Sequence, residues 1–224
     1  MRVCLASNNE HKKREIAALL GDSDVISPSD LGITFAAEET GVTFLANALI
    51  KAKALWTALC AAGVVGKGRD EKPSGVERNG QPLLVLADDS GLCVDALDGR
   101  PGVYSAQFGV TEDRLTLSSD EQNALLLAEM NGVLRRDAHF VCCMVAILDD
   151  DRIVTAQERW DGVIATDQAR SSGGFGYDPI FYLPRLGCTA AELSSRRKNE
   201  LSHRGRAISV VRAAIMRARE LPTA

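Results

Sequence analysis

Two adjacent aspartates directly follow a continuous apolar run, and this feature limits the possible folds most. Residues 83–87 read Leu-Leu-Val-Leu-Ala, which predicts a strand buried on both faces. Asp88 and Asp89 come next, so we expect them at the carboxyl end of that strand, where open α/β sheets commonly bind ligands. Adjacent like charges there are unfavourable unless a cation offsets them, and Mg²⁺ prefers carboxylate oxygens. The alternative is an Asp-rich turn closed by a side-chain hydrogen bond.

The rest of the pattern predicts strands mixed with helices. Strands are expected at 2–6, 138–148 and 153–160, and helices at 11–20, 44–62, 119–131 and 205–220. Crossover and hairpin connections together indicate an α/β fold with a mixed sheet. A length of 224 residues suits one large domain or two small lobes that share a core. Residues 63–82, rich in Gly, Pro and charge, predict an exposed loop or hairpin insertion.

The composition argues against several classes of function. Lys and Arg number 26 against 30 Asp and Glu, a formal net charge of −4, so we expect neither nucleic acid nor an anionic membrane as a partner. Ala48–Val65 is the nearest approach to a membrane span, but Lys51 and Lys53 interrupt it. The six cysteines form no CxxC pair, which indicates reduced structural thiols in a cytoplasmic protein.

Two polar groups near the N-terminal half are candidate ligand sites. Ser7, Asn9 and Lys12 surround a helix start, a pattern that fits a phosphate cradle or, equally, a capped surface helix. Phe44, Asn47 and Lys51 share one helix face. That face is either a polar edge of a cleft or a flank from which the lysine reaches water. The acidic pair Glu38-Glu39, just before the helix predicted at 44–62, could bind a metal.

Two further groups lie in the C-terminal half. Residues 173–179, Gly-Gly-Phe-Gly-Tyr-Asp-Pro, combine backbone freedom, two aromatic rings and a carboxylate. Such a loop can stack a base and accept a hydrogen bond from it, although a tight turn with core aromatics has the same pattern. Lys198, Ser202, His203 and Arg204 form a cationic group at a helix start, which is either a substrate contact or a solvated surface.

Five motifs occur in order along the chain: ASNNEHK, EETGVTFLANALIKAKA, LADDSGLCVDALDGRPGVYSA, GGFGYDPIF and KNELSHRGRA. Together they closely resemble the inosine triphosphate pyrophosphatase family, over about Val3 to Ala214. The resemblance implies Mg²⁺-dependent hydrolysis of ITP, dITP and XTP to the monophosphate and pyrophosphate, which keeps these noncanonical purines out of DNA and RNA. It also implies one domain, 1–224, with two lobes, an elongated mixed sheet flanked by helices, a site in the cleft between the lobes, and a homodimer.

The resemblance implies a role for each motif. Asp89 would be the catalytic carboxylate and a metal ligand, and Glu38 or Glu39 would be a second ligand. The substrate would contact Ser7, Asn8, Asn9, Glu10, His11, Lys12, Lys51, Ser90, Phe175, Gly176, Tyr177, Asp178, Lys198, His203 and Arg204. Hypoxanthine and xanthine present a 6-keto acceptor and an N1–H donor, whereas adenine presents the reverse. An acceptor such as Asp178 and a donor such as Arg204, His203 or a backbone N–H would therefore reject adenine.

Two positions depart from the family pattern. Gln107 stands where the family usually has arginine, and the 63–82 segment is longer than expected. Two other functions remain open: a pyrophosphatase with a different base preference, and a nucleotide sensor that does not hydrolyse its ligand. A sensor has no need of the hydrolytic carboxylate at Asp89.

Overall fold

The structure, a computed structural model, describes residues 1–7, 9–65, 83–113, 115–170 and 173–220. Its helices are α1 (Glu10–Leu20), α2 (Phe44–Ala61), α3 (Ser119–Glu129), α4 (Ser195–Leu201) and α5 (His203–Glu220). Its strands are β1 (Arg2–Leu5), β2 (Asp24–Ile26), β3 (Leu83–Val94), β4 (Asp137–Ile147), β5 (Ile153–Ile164), β6 (Phe181–Leu183) and β7 (Cys188–Thr189). Asn8, and the predicted insertion at 63–82 from residue 66 onward, lie outside the described residues.

The strands form a seven-stranded sheet in the order β2-β1-β3-β4-β5-β6-β7. β1 pairs in parallel with β2 and with β3, Val3 lying beside both Val25 and Leu84. β6 pairs antiparallel with β5 and with β7. The sheet is therefore mixed, and the predicted α/β fold is confirmed.

Contacts between residues divide the chain into two compact units. The first comprises Met1–Asp89, Cys142–Gln157 and Arg206–Ala224, and the second comprises Ser90–Val141 and Glu158–Gly205. Each unit has its own hydrophobic core. The core of the second unit contains Phe140, Trp160 and Phe181, whose rings pack against one another.

Alternate residues of the strands in the first unit belong to two different hydrophobic clusters. Leu84 and Leu86 of β3 pack with Ile16 and Leu20 of α1 and with residues of α5. The intervening residues of β3, Leu83, Val85 and Ala87, pack with Ala48, Ala52, Leu55 and Leu59 of α2. Successive side chains of a strand point to opposite faces, so β3 is covered on both faces, as the apolar run predicts.

Helix α2 is long and apolar enough to cross a membrane by length and composition alone. Its apolar residues instead pack in the cluster with β1 and β3. Thr43 caps its N-terminus, Oγ1 accepting a hydrogen bond from the backbone N–H of Ala46 at 3.1 Å. Asn47 and Lys51 are 2% and 8% exposed, so the polar face that the sequence reveals is buried.

One prediction about β3 is wrong. The sequence predicts that Asp88-Asp89-Ser90-Gly91 ends the strand, but β3 continues through these residues to Val94. Ionised side chains inside a buried strand are tolerated only when charged and polar partners compensate them. The carboxylates therefore lie within the sheet, and the partners that make this possible come from α1 and α2.

Candidate active site

Asp88 and Asp89 each contact a different lysine. Lys12 Nζ of α1 lies 3.3 Å from Asp88 Oδ2, and Lys51 Nζ of α2 lies 2.9 Å from Asp89 Oδ1. The alternation of strand side chains explains this division. Asp88 follows Leu84 and Leu86 on the α1 face of β3, whereas Asp89 follows Val85 and Ala87 on the α2 face.

Two residues that precede or begin α2 complete the surroundings of Asp89. Lys51 Nζ also lies 2.9 Å from Glu39 Oε2. Asn47 Nδ2 donates to Asp89 Oδ2 at 3.4 Å, and Asn47 Oδ1 accepts from the backbone N–H of Gly41 at 2.7 Å. We call Lys12, Glu39, Lys51, Asp88 and Asp89 the aspartate–lysine cluster. The part played by Asn47 was not predicted, because the sequence marks its helix face but not its partner.

Burial and charge act in opposite directions on this cluster. Burial raises the pKa of Asp89 above its ordinary value, and the attraction of Lys51 and Lys12 offsets only part of that shift. For Lys51, burial is the largest effect and lowers the pKa, but Asp89, Asp88 and Glu39 together outweigh it, so the pKa is raised. Lys51 therefore stays charged, and Asp89 is a stronger proton acceptor than an exposed aspartate.

The carboxylates of the cluster fit a magnesium ion in part. Both glutamates are exposed, but Glu39 rather than Glu38 shares the Lys51 ammonium with Asp89. Within the described ranges, no group of three or more His, Cys, Asp or Glu is placed to hold a metal ion. Mg²⁺ is usually held by one or two carboxylates together with waters and substrate phosphates. Asp89 and Glu39 are two such carboxylates, both in contact with Lys51.

The start of α1 is a capped helix terminus. Asn9 Oδ1 accepts from the backbone N–H groups of His11 and Lys12 at 3.0 and 3.1 Å. Ser7 Oγ accepts from the backbone N–H of Asn9 at 3.2 Å. His11 Nδ1 and Arg14 Nη2 lie 3.1 Å apart, and Glu10 is exposed. Lys12, whose ammonium contacts Asp88, also belongs to the aspartate–lysine cluster.

In the second unit, Asp178 organises the residues 173–178, which we call the aromatic loop. Asp178 Oδ2 accepts from Lys198 Nζ at 2.6 Å and from the backbone N–H of Phe175 at 2.8 Å. Lys198 Nζ lies 4.4 Å from the centre of the Phe175 ring, a cation–π contact. Gly174 has a φ of +75°, and a Cβ there would lie 2.7 Å from the Asp178 side chain. Only glycine fits this close approach.

The second unit also carries candidate site residues at the junction of α4 and α5. Arg204 Nη2 lies 2.8 Å from Ser90 Oγ, and Arg204 is 2% exposed. His203 stacks on Phe140, with ring centres 4.8 Å apart and planes at 9°. The junction is tight, because a Cβ on Gly205 would lie 1.7 Å from the carbonyl oxygen of Asn199. Helix α4, which carries Lys198, was not predicted.

Tyr177 is buried and reaches a neighbouring segment of the second unit. Its hydroxyl donates to the carbonyl oxygen of Ser105 at 2.7 Å, and burial raises its pKa well above the ordinary value. Gln107, the residue that departs from the family pattern, is exposed at the end of a 3₁₀ turn, Gly102–Gln107. Ser105 was not predicted, since a serine in a turn carries no distinguishing pattern.

Comparison with known proteins agrees with this arrangement of motifs. The model of the Ham1 family matches residues 3–214. A dITP/XTP pyrophosphatase of Treponema denticola is 45% identical over 208 residues, 93% of this chain and 95% of that protein. A dITP/XTP pyrophosphatase of Photorhabdus laumondii is 42% identical, covering 94% and 95%. The solved structure of the Staphylococcus aureus Ham1 protein has a TM-score of 0.74 and 34% identity, covering 96% of this chain and 98% of that chain.

Proposed function

This chain belongs to the Ham1 family, and from that premise we propose that it hydrolyses dITP, ITP and XTP to the monophosphate and pyrophosphate. Relatives named dITP/XTP pyrophosphatase match nearly its whole length. One structural observation carries the proposal: two adjacent buried aspartates within a strand, each contacted by a different lysine. This arrangement supplies both a proton acceptor and positive charge, the two requirements for hydrolysis of a phosphoanhydride.

In the proposed reaction, water attacks the α-phosphorus and pyrophosphate leaves. Asp89 orients the water and accepts its proton, a role that its raised pKa supports. Lys51 and Lys12 offset the negative charge that develops on the phosphoryl oxygens. Asn47 holds the second oxygen of Asp89, which keeps the carboxylate in one orientation.

We further propose Mg²⁺ as the cofactor, with Asp89 and either Glu38 or Glu39 as its protein ligands. The contact of Glu39 with Lys51 beside Asp89 favours Glu39. A bound Mg²⁺ would neutralise phosphate charge and polarise the bond to be broken. The lysines alone leave the cluster with three carboxylates against two ammonium groups, so the donor set is suited to a cation.

We assign recognition of the base to the aromatic loop and to Arg204. Asp178 is the proposed acceptor for the N1–H group, while Arg204, His203 or a backbone N–H is the proposed donor to O6. The hydrogen bond to Ser90 supports Arg204, since it orients the guanidinium. His203 is stacked in the aromatic core, which makes Arg204 the better candidate of the two.

The test is the release of pyrophosphate from dITP, ITP, XTP, GTP and ATP, with Mg²⁺ and with EDTA. We expect metal-dependent release that strongly favours dITP, ITP and XTP. Release from all five would keep the reaction and overturn the assignment of base preference. Nucleotide binding without release would identify a sensor.

Two further properties belong to the proposal. We expect a homodimer, which sedimentation equilibrium would detect as a mass of about twice the 24.0 kDa of the chain. We also expect a cytoplasmic location, which the six free cysteines favour. A monomer at all concentrations would overturn the first expectation, and fractionation with secreted proteins would overturn the second.

A further inference from the structure

Two neighbouring side-chain amides near the N-terminus of α3 bind the backbone of two other segments of the second unit. Gln122 Nε2 donates to the carbonyl oxygens of Ser105, Ala106 and Phe108, at 3.5, 3.2 and 3.2 Å. Asn123 Nδ2 donates to the carbonyl oxygen of Gly176, at 3.1 Å. Both side chains are buried, with 7% and 0% exposure. Helix α3 thus holds residues 105–108 and the aromatic loop at once.

The two segments are also joined to each other. The carbonyl oxygen of Ser105 accepts from Gln122 and from the Tyr177 hydroxyl. Tyr177 follows Gly176, whose carbonyl oxygen accepts from Asn123. α3, residues 105–108 and the aromatic loop therefore form one hydrogen-bonded network, and a change at either amide reaches the loop.

Asn123 is an unfavourable choice for packing alone. Its Oδ1 atom is buried and accepts no hydrogen bond from any residue that the structure describes. A buried acceptor without a partner lowers stability, whereas an apolar side chain of similar size avoids that penalty. The contribution of Asn123 therefore lies in its donor, which acts on Gly176.

We propose that Asn123 and Gln122 are positioning residues for purine binding. Asn123 holds Gly176 directly, and Gln122 holds the Ser105 carbonyl that Tyr177 also binds. They thereby keep Phe175 and Asp178 in the geometry that accepts the base. Both amides donate to backbone carbonyl oxygens, so they act through the backbone of these segments and not on the reacting atoms. This inference rests on the proposed function, and it predicts an effect on nucleotide affinity without an equal effect on turnover.

The test compares Asn123→Ala and Gln122→Met with Asn131→Ala, an exposed asparagine just after α3 that serves as the matched control. With dITP and XTP as substrates, we expect KM to rise about tenfold in the first two variants, the effect of one positioning hydrogen bond. We expect kcat to stay within about twofold, and the control to match the wild type. If the amides had only a structural role, the variants would be less stable but would not show a raised KM with nearly unchanged kcat.

Calorimetric titration with dIMP and with pyrophosphate gives a second measurement. We expect the affinity for dIMP to fall about tenfold in Asn123→Ala, with unchanged affinity for pyrophosphate. Unchanged dIMP affinity, or equal losses for both ligands, would overturn the inference. If wild-type protein binds dIMP but releases no pyrophosphate from dITP, only the proposed function fails. If Asn123→Ala does not fold, Gln122→Met must show the same loss of affinity for dIMP alone.

Discussion

At the scale of single residues, the strand alternation of β3 decides which lysine meets which aspartate. Asp88 and Asp89 are neighbours in sequence but lie on opposite faces of the strand, so each has its direct contact with a different lysine. Lys12 meets the first from α1, and Lys51 meets the second from α2. Asp89 also receives a hydrogen bond from Asn47. Lys51 and Asn47 each hold one oxygen of Asp89, and this supports its proposed role as the catalytic carboxylate.

Replacing Asp89 with asparagine tests that assignment directly. Asp89→Asn keeps the shape of the side chain but removes the proton acceptor, so we expect kcat for dITP to fall at least about a hundredfold. Pyrophosphate release measures the effect, and circular dichroism verifies the fold. Asp22→Asn, at an exposed position, is the matched control and should retain wild-type turnover. Near-normal turnover in Asp89→Asn would exclude Asp89 as the base.

The cysteines give a second prediction at this scale. Burial raises the pKa of Cys4 to about 12 and that of Cys143 to about 11, and the thiolate is the reactive form. At pH 8 we therefore expect iodoacetamide to modify the half-exposed Cys60 and Cys188 first. Cys4 and Cys143 should react only after denaturation. Peptide mass spectrometry at timed intervals measures the order, and equal rates at all four would contradict it.

At the scale of elements, Arg136 joins the end of α3 to the end of β5. Its guanidinium donates to the carbonyl oxygens of Met130, Val133, Ile164 and Ala165, at 2.7 to 3.3 Å. Carbonyls past the last turn of a helix have no partner within the helix. Arg136 supplies donors to such carbonyls, and it also donates to the carbonyls at the end of β5.

Removing this guanidinium is expected to destabilise the protein. Arg136→Met keeps much of the alkyl chain and loses all the donors, so we expect the free energy of unfolding to fall by about 2–4 kcal/mol. Arg135→Met is the matched control, because Arg135 is exposed and its ion pairs with Asp95 and Asp137 are at the surface. For Arg135→Met we expect the free energy of unfolding to fall by less than about 1 kcal/mol. Urea denaturation measures both, and equal losses would contradict the role of Arg136.

The turn that Thr189 caps and that contains Glu192 gives a pH-dependent prediction at the scale of elements. Hydrogen bonds from the backbone N–H and the hydroxyl of Thr189 lower the pKa of Glu192 below its ordinary value. A depressed carboxyl pKa stabilises the fold above the unfolded pKa, and that stability is lost as the pH falls through the folded pKa. Below about pH 4.5, the stability of Glu192→Gln should therefore fall less steeply with decreasing pH than that of the wild type. Thermal denaturation from pH 3 to 7 tests this, and identical slopes would contradict it.

At the scale of the whole molecule, the two compact units carry different parts of the chemistry. The aspartate–lysine cluster belongs to the first unit, and the aromatic loop, Lys198 and Arg204 belong to the second. Each group is built on its own hydrophobic core.

Binding of the substrate to the folded protein should raise its stability. Asp89→Asn is expected to bind dITP without turnover, and a ligand that binds only the folded state at 100 times its Kd adds about 2.7 kcal/mol. For a chain of this length, that corresponds to a rise in Tm of about 5–10 °C. Differential scanning fluorimetry with dITP and with ATP measures it. A rise of equal size with ATP would contradict the proposed preference for the base.

Much of the fold follows from local pattern. The apolar pattern and the capping residues predicted α1, α2, α3 and α5, together with β1, β4 and the first parts of β3 and β5, because side-chain periodicity reports burial directly. The strands β2, β6 and β7 were not predicted. They are only two or three residues long, too short for alternation to distinguish a strand from a loop.

By itself, the sequence determined the family, the α/β class and the motifs that contain the candidate site, since these depend on residue types in a fixed order. Only the tertiary structure decided that β3 runs through Asp88 and Asp89, that Glu39 rather than Glu38 reaches Lys51, and that two amides of α3 hold the aromatic loop. The physical reason is that ion pairs and hydrogen bonds between distant segments depend on packing. Periodicity along the chain reports which residues are buried but not which partners they meet.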